Sequence, residues 1–191
     1  MVKSLTVIIP IFNEEVLLEK NAIKLLKNLK KIYKEFEILL VENGSTDKTY
    51  EVANKLAKKY SLIKVLRLKN PCYGLALKLG INKAQSETIV QFDIDFIDTI
   101  FLKRAVELLK SFDIVIGSKL HPESQDLRPI GRVFLTKIVN LFIKTIFKYQ
   151  GTDTHGIKAY KKTKIKKIIN KNITRFFHRL ADQEVYCVSF S

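Results

Sequence analysis

The sequence predicts an α/β fold with a mostly parallel central sheet and helices on both of its faces. Short apolar runs alternate with segments of helical spacing from the first residues onward, and strands joined by helices form parallel sheets. The chain has 191 residues, 47% of them hydrophobic, and neither a linker nor a repeat interrupts the pattern. We therefore expect residues 1–191 to form a single domain with its own core, in which the region after about residue 172 is short.

Each element has its own signal in the sequence. The first strand is the continuous apolar run 5–12, as expected of a strand covered on both faces. A helix follows, because apolar residues from 18 to 32 recur at helical spacing opposite a stripe of lysines. Polar residues at 42–47 predict a turn that caps the second helix, which runs to about residue 59. The remaining strands are predicted at 36–41, 63–68, 88–92 and 113–116, and the remaining helices at 74–84 and 100–109.

Composition excludes several classes of protein. No apolar run reaches the ~18 residues that span a bilayer, and the first run lacks a cleavage site, so we expect a chain that is soluble or peripheral and not secreted. Cys72 and Cys187 lack metal-binding spacing and are expected to be small core residues in a reducing cytosol. The net charge of +15 fits either a solvated lysine surface or an anionic partner such as nucleic acid, a membrane face or a phosphorylated substrate.

Polar residues follow each predicted strand, where a core does not require them. If the strands are parallel, these residues meet at the edge where open α/β sheets bind ligands. They would form a crevice lined with carboxylates and amides, and they are Asn13 and Glu14, Glu42 and Asn43, Asn70, Asp93 and Asp95, and Gly117 to Lys119.

The pair Asp93 and Asp95 directly follows a buried strand. Two carboxylates at this spacing would repel each other unless a hard divalent cation such as Mg²⁺ or Mn²⁺ lay between them. The alternative is an ordinary turn or capping pair. The glycine-rich phosphate motifs of P-loop enzymes and dinucleotide binders are absent from the sequence.

Three segments in order, VIIPIFNEE at 7–15, VENGSTD at 41–47 and FDID at 92–95, resemble the successive signatures of family 2 glycosyltransferases. The fold of that family is the nucleotide-sugar-binding domain called GT-A. The segments GSK at 117–119, Arg128-x-x-x-Arg132-x-x-x-Thr136 and TDTHGIKAY at 152–160 are similar to the dolichyl-phosphate mannosyltransferase-like branch. The resemblance covers roughly residues 4–188.

On the donor side, the resemblance implies a UDP- or GDP-sugar bound through the first three signatures. Asp93 and Asp95 would hold the metal on the diphosphate, with Asp95 in a catalytic role. Pro10, Asn13 and Glu14 would line the base and ribose pocket, Glu42 and Asn43 would lie near the base, and Asn70 and Gly74 would form a loop that approaches the donor.

On the acceptor side, the resemblance implies inverting transfer to a polyprenyl phosphate. Arg128, Arg132 and Thr136 would share one helix face on which guanidinium groups grip phosphate, with Arg132 catalytic. Without the family, a plain basic helix surface is the simpler interpretation. Lys119 and Asp153 would also contact the acceptor. The apolar stretch 133–147 fits either a helix in an anionic membrane interface or a core helix, and we expect a peripheral enzyme at the cytoplasmic face.

The sequence departs from the family pattern at several positions. Glu42 stands where the family usually has Asp, and Ile97 lies near the position at which the family often has a third polar metal ligand. Lys119 stands where Arg is frequent, and Thr136 stands where Ser is frequent. The chain also ends at Ser191 without the usual basic tail or membrane helices. Two alternatives therefore stay open: a family 2 transferase with another glycan or lipid acceptor, and a nucleotide-sugar-binding protein without turnover. A nucleic-acid-binding domain is disfavoured, because its motifs are missing.

Overall fold

A computed structural model describes residues 4–118, 157–169 and 185–189 of the chain. The chain divides into two units, residues 1–99 and 100–191. The strands are β1 (Leu5–Ile11), β2 (Phe36–Asn43), β3 (Ile63–Leu68), β4 (Thr88–Gln91), β5 (Ile114–Ser118), β6 (Lys158–Lys161) and β7 (Val185–Ser189). The helices are α1 (Leu18–Ile32), α2 (Thr49–Lys59), α3 (Tyr73–Lys83), α4 (Thr99–Leu108) and α5 (Lys162–Ile169).

The first unit is built on four parallel strands in the order β3-β2-β1-β4. Every residue of β1 and of β2 is buried, which explains why their sequences are mostly apolar and do not alternate between apolar and polar residues. The predicted α/β class and the predicted parallel pairing are thus confirmed. Because the strands are parallel, their carboxyl ends all lie at one edge of the sheet.

Helices cover both faces of this sheet. From β1 to β2 and from β2 to β3 the chain moves across the sheet in one direction, and from β3 to β4 it crosses back in the opposite direction. Because such crossovers are right-handed, α1 and α2 lie on one face of the sheet and α3 lies on the other. Helix α1 buries the apolar face that its spacing predicts, namely Leu18, Ala22, Leu25, Leu26 and Leu29. Helix α3 approaches the sheet closely at Gly80, where an added Cβ would lie 2.7 Å from Ile8 Cγ2.

A buried polar cluster ties the strands together at the amino edge of the same sheet. The Thr6 hydroxyl donates to Glu37 Oε1 at 2.8 Å, and Lys64 Nζ pairs with Glu37 Oε2 at 2.7 Å. The backbone amides of Gln85 and Ser86 donate to Glu37 and Thr6. Burial alone would raise the pKa of Glu37, but the hydrogen bonds from Lys64, Gln85 and Thr6 lower it below its usual value.

In the second unit, β5 pairs with β6 in antiparallel and with β7 in parallel orientation. Asp113, which precedes β5 and is 6% exposed, joins this strand to the α5 region. Its carboxylate pairs with Lys161 Nζ at 3.0 Å and Lys164 Nζ at 2.7 Å. Burial would raise the pKa of Asp113, and these two lysines outweigh burial and lower it.

Two predicted strands were assigned the wrong ends. The turn predicted at 42–47 begins later, since Glu42 and Asn43 still pair with Arg67 and Leu68 of β3 and belong to β2. The fifth strand begins at Ile114 and extends through Ser118, because β7 offers pairing partners as far as that residue. In both cases a polar strand end resembles a turn in sequence although a neighbouring strand continues the ladder.

The prediction that Cys72 is a core residue was wrong. Cys72 is exposed, because the chain leaves the sheet after β3 and reaches α3 only at Tyr73. Among the described residues, no helix combines the length and the apolar composition that crossing a bilayer requires.

Candidate functional site

The carboxyl edge of the four parallel strands gathers the residues that the sequence predicts for the donor side. Pro10 lies buried in β1, and the other eight occupy the strand ends and the segments that follow them: Asn13, Glu14, Glu42, Asn43, Asn70, Gly74, Asp93 and Asp95. The predicted acceptor residues Lys119, Arg128, Arg132, Thr136 and Asp153 lie outside the described residues, as does the stretch 133–147.

Asn13 fastens the loop after β1 to the loop after β2. It adopts a positive φ of 55°, a conformation that asparagine tolerates better than most residues. In this conformation the Asn13 Oδ1 accepts a hydrogen bond from the backbone amide of Thr46 at 2.9 Å. The backbone amide of Asn13 donates to Ser45 Oγ at 3.1 Å. The neighbouring residue adds a further hydrogen bond, because the backbone amide of Glu14 donates to Thr49 Oγ1 at 2.7 Å. The two loops are therefore held in one fixed arrangement.

Glu42 is fully buried at the end of β2. One carboxylate oxygen accepts a hydrogen bond from the Ser45 amide, and the other accepts from Arg67 Nε at 3.0 Å. The Arg67 guanidinium in turn lies 3.8 Å from the ring centroid of Tyr50, a cation–π distance. The role predicted for Glu42 near a nucleotide base stays a prediction. Of the two paired charged side chains, Glu42 is buried and Arg67 is partially exposed.

The loop after β3 packs against the end of β2. The Cys72 amide donates to Asn43 Oδ1 at 2.7 Å, which fixes the start of α3. Gly44 has a φ of +75°, and a Cβ there would lie 3.0 Å from the carbonyl oxygen of Lys69 and from Pro71. Only glycine fits both this conformation and this close backbone approach.

Asp93 and Asp95 lie in a tight turn after β4. The Phe96 amide donates to the carbonyl of Asp93 at 3.0 Å, and the side chain of Ile94 is 2% exposed. The side-chain amide of Asn21, from α1, holds the Ile94 carbonyl at 2.9 Å. With Ile94 anchored in the core, the turn presents Asp95 to solvent and keeps Asp93 half-buried.

Tyr73, the first residue of α3, links this turn to β4. Its hydroxyl accepts a hydrogen bond from Gln91 Nε2 at 2.8 Å and lies 3.4 Å from Asp93 Oδ1. Burial and the adjacent charge of Asp93 raise the pKa of Tyr73. Half of its side chain is exposed.

The electrostatics of this edge suit a divalent cation. Burial, followed by the negative charges of Asp95, Asp47 and Asp93, raises the pKa of Glu14, and a cation would relieve this crowding of carboxylates. Among the described residues, His, Cys, Asp and Glu side chains form no cluster of three that could hold a metal alone. A divalent ion held by the two carboxylates of the turn would therefore need diphosphate and water as its remaining ligands.

Sequence reasoning missed the residues that hold this site from behind. Arg67 pairs with Glu42 and lies over the ring of Tyr50, and Gln91 donates to Tyr73, whose hydroxyl faces Asp93. These contacts join different strands and helices, so no local motif marks them. The one available signal was Arg67 in the third predicted strand, because Glu42 follows the second predicted strand and consecutive strands are often neighbours in a sheet.

Comparisons with known proteins agree with this architecture. The family model of glycosyl transferase family 2 matches residues 6–169. Human dolichyl-phosphate beta-glucosyltransferase is 31% identical over 141 residues, which cover 65% of this chain and 44% of the human protein. The undecaprenyl-phosphate 4-deoxy-4-formamido-L-arabinose transferase of Photorhabdus laumondii is 28% identical over 165 residues, covering 84% of this chain and 50% of that protein. The chain thus spans about half the length of the curated relatives it matches.

The fold is shared with a solved glycosyltransferase. Glucosyl-3-phosphoglycerate synthase from Mycobacterium tuberculosis, crystallised with Mn²⁺ and UDP-glucose, superposes with a TM-score of 0.68 at 18% identity. The match covers 98% of this chain and 69% of that one. The GT-A-type fold that the sequence predicts is confirmed, and the chain belongs to glycosyl transferase family 2.

Proposed function

We propose that the chain is a metal-dependent, inverting glycosyltransferase that moves a sugar from a UDP- or GDP-sugar to a polyprenyl phosphate. The observation that carries the proposal is the turn of Asp93 and Asp95, placed beside Glu14 at the carboxyl edge of the parallel sheet. The acceptor class is supported by the names of the two relatives, both of which are polyprenyl-phosphate sugar transferases.

On the donor side, Asp93 and Asp95 would hold Mg²⁺ or Mn²⁺ against the diphosphate. A bound divalent ion supplies Lewis-acid stabilisation of the departing nucleoside diphosphate. The loop that Asn13 fastens to the β2 loop would form a rigid wall for the base and ribose, together with Pro10, Glu14, Glu42 and Asn43. Asn70 and Gly74 would lie along the donor, and in the part of the chain that the structure describes no atom packs within 4 Å of a Cβ added at Gly74.

On the acceptor side, the nucleophile is a phosphate oxygen that is already anionic at neutral pH. The protein then needs no strong general base, and its task is to position two anions and balance their charge. Arg128 and Arg132, four residues apart, are suited to bidentate binding of the phosphate, with Lys119, Thr136 and Asp153 as further contacts. Arg132 would act at the reacting oxygen.

A lipid acceptor also requires access to a membrane surface. Phe12, Val16 and Leu17 are exposed beside the carboxyl edge, Val16 to 83%, and the chain carries a net charge of +15. Apolar tips on a basic protein favour peripheral binding to an anionic bilayer. We place the enzyme at the cytoplasmic face, and co-sedimentation with vesicles of anionic against zwitterionic lipid tests this contact.

The decisive experiment is transfer by the purified chain from UDP- and GDP-sugars, with and without Mn²⁺ or Mg²⁺ and a short polyprenyl phosphate. Asp95→Asn should lower kcat by about 100-fold or more, because one of the two carboxylates that would hold the metal on the diphosphate is lost. Glu51→Gln, which removes an exposed carboxylate from α2, is the matched control and should leave kcat unchanged.

The outcomes separate the alternatives. Release of nucleoside diphosphate that depends on both metal and lipid phosphate supports the proposal. Turnover with another acceptor only would identify a family 2 transferase of different acceptor class. Donor binding without turnover would identify a nucleotide-sugar-binding protein, and normal turnover by Asp95→Asn would refute the metal assignment.

A further inference from the structure

Tyr73 reaches from the start of α3 to the turn that carries Asp93. Its hydroxyl lies 2.8 Å from Gln91 Nε2 and 3.4 Å from Asp93 Oδ1. No signature of the sequence includes Tyr73, and the proposed function gives it no role.

The geometry determines what this hydroxyl does. The Gln91 side chain is buried in β4, 4% exposed, and its amide donates to the phenolic oxygen. The hydroxyl proton is then directed away from Gln91, and the Asp93 carboxylate is the acceptor within reach. The charge of the acceptor strengthens such a bond, although at 3.4 Å the contact is longer than an ordinary O–H···O hydrogen bond of about 2.7–2.8 Å.

Tyr73 itself is held from the other side. The Cys72 amide is fixed by Asn43 Oδ1 at 2.7 Å, and the Ala76 amide donates to the Cys72 carbonyl at 2.9 Å in the first turn of α3. The position of the phenol is therefore set by two contacts, one from Asn43 of β2 to the backbone before Tyr73 and one from Gln91 of β4 to the hydroxyl.

We infer that Tyr73, oriented by Gln91, is a positioning residue that fixes the rotamer of Asp93 for the metal and diphosphate of the donor. This inference rests on the proposed function and adds to it a specific residue behind the Asp93 and Asp95 turn. Outer partners of this kind orient a ligand without touching the metal, and their loss commonly weakens metal binding.

The test is a binding measurement, independent of turnover. Mn²⁺ is titrated into the full chain with UDP or with GDP, and Mn²⁺ bound by the protein is followed as the loss of its free electron paramagnetic resonance signal beyond the loss that the nucleotide alone causes. Tyr73→Phe keeps the ring and removes only the hydroxyl, and it should weaken Mn²⁺ binding about tenfold. Tyr60→Phe, which removes a hydroxyl from the residue after α2, is the matched control and should bind as the unaltered chain does.

A second variant guards against a purely structural effect. Gln91→Met removes the amide at similar volume and should weaken Mn²⁺ binding by a similar factor. The double variant should lose little beyond either single one, because both changes break the same chain of contacts. The thermal midpoint of Tyr73→Phe should match that of Tyr60→Phe.

Three results would overturn the inference. Tyr73→Phe could bind Mn²⁺ and nucleotide as tightly as the unaltered chain, or the effects of Tyr73→Phe and Gln91→Met could simply add. In either case the proposed function stands while the positioning role fails. If the unaltered chain itself binds no Mn²⁺ with either nucleotide, the proposed function fails, and the inference fails with it.

Discussion

Replacing Gly80 with alanine tests how tightly α3 packs on the sheet. The new Cβ would lie 2.7 Å from Ile8 Cγ2, 3.2 Å from Val41 Cγ2 and 3.3 Å from Ile8 Cδ1. Ile8 is fully buried, and its Cγ2 is attached directly to Cβ, so this methyl cannot move without shifting α3 or β1. Overpacking of this kind costs about 1–3 kcal/mol.

Helix propensity acts in the opposite direction at this position. Alanine in a helix interior is more favourable than glycine by about 1 kcal/mol, so the net expectation is a loss of up to about 2 kcal/mol. For a chain of this length each kcal/mol lowers the thermal midpoint by about 2–4 °C. Urea denaturation followed by far-ultraviolet circular dichroism gives the free energy of unfolding directly.

Gly74→Ala is the matched control within the same helix. Among the described residues, none packs within 4 Å of a Cβ added at Gly74, so the free energy of unfolding should stay equal or rise by about 0.5 kcal/mol. The reasoning is refuted if Gly80→Ala is more stable than the unaltered chain, or if both substitutions shift stability in the same direction.

Three further predictions concern the polar contacts. Glu37→Gln should lower the free energy of unfolding by about 2 kcal/mol at pH 7. Because the folded pKa of Glu37 lies below its usual value of 4.5, the stabilisation is present above that value and is lost as the pH falls through the folded pKa. The difference from the unaltered chain should therefore shrink in urea titrations at pH 3, and a constant difference would contradict the assignment. Asp113→Asn should behave in the same way, with a loss of about 1–2 kcal/mol at neutral pH, since the lowered pKa of Asp113 has the same sign. Asn13→Gly keeps the positive φ but removes the acceptor for the Thr46 amide, so hydrogen exchange at 45–48 should accelerate about tenfold. Asn13→Asp keeps an acceptor oxygen and should retain protection, and equal exchange in both variants would exclude the bracing role of Asn13.

Much of the fold could be predicted from the sequence because its signals are local. The continuous apolar run of β1 and the apolar face of α1 each indicate from their own residues that they are buried. The alternation of strands with helices implies that the strands pair in parallel. The donor-side residues could be placed for the same reason, since most of them lie at the end of a strand or in the segment that follows it. The error at the end of β2 has a physical cause: Glu42 and Asn43 are polar, yet β3 continues beside them.

The supporting contacts could not be predicted, because they depend on register. The pair of Glu42 and Arg67 exists only because these residues lie opposite each other on β2 and β3. The approach of Tyr73 to Gln91 requires in addition the position of α3 on the sheet. Cys72 illustrates the limit of composition, since a small apolar residue is usually buried but here lies in the exposed segment between β3 and α3.

The polar cluster at the amino edge also bears on how the chain avoids misfolding. Strands that are apolar on both faces carry no alternating pattern, so hydrophobicity alone would not distinguish the native alignment of β1 and β2 from one displaced along the strand. Thr6 lies opposite Glu37 in the native alignment. Any displacement would bury the carboxylate of Glu37 away from Thr6 and the Gln85 amide, a state that costs several kcal/mol. The cluster thus favours the native alignment of β1 and β2, and this alignment in turn sets which side chains lie opposite each other at the carboxyl edge.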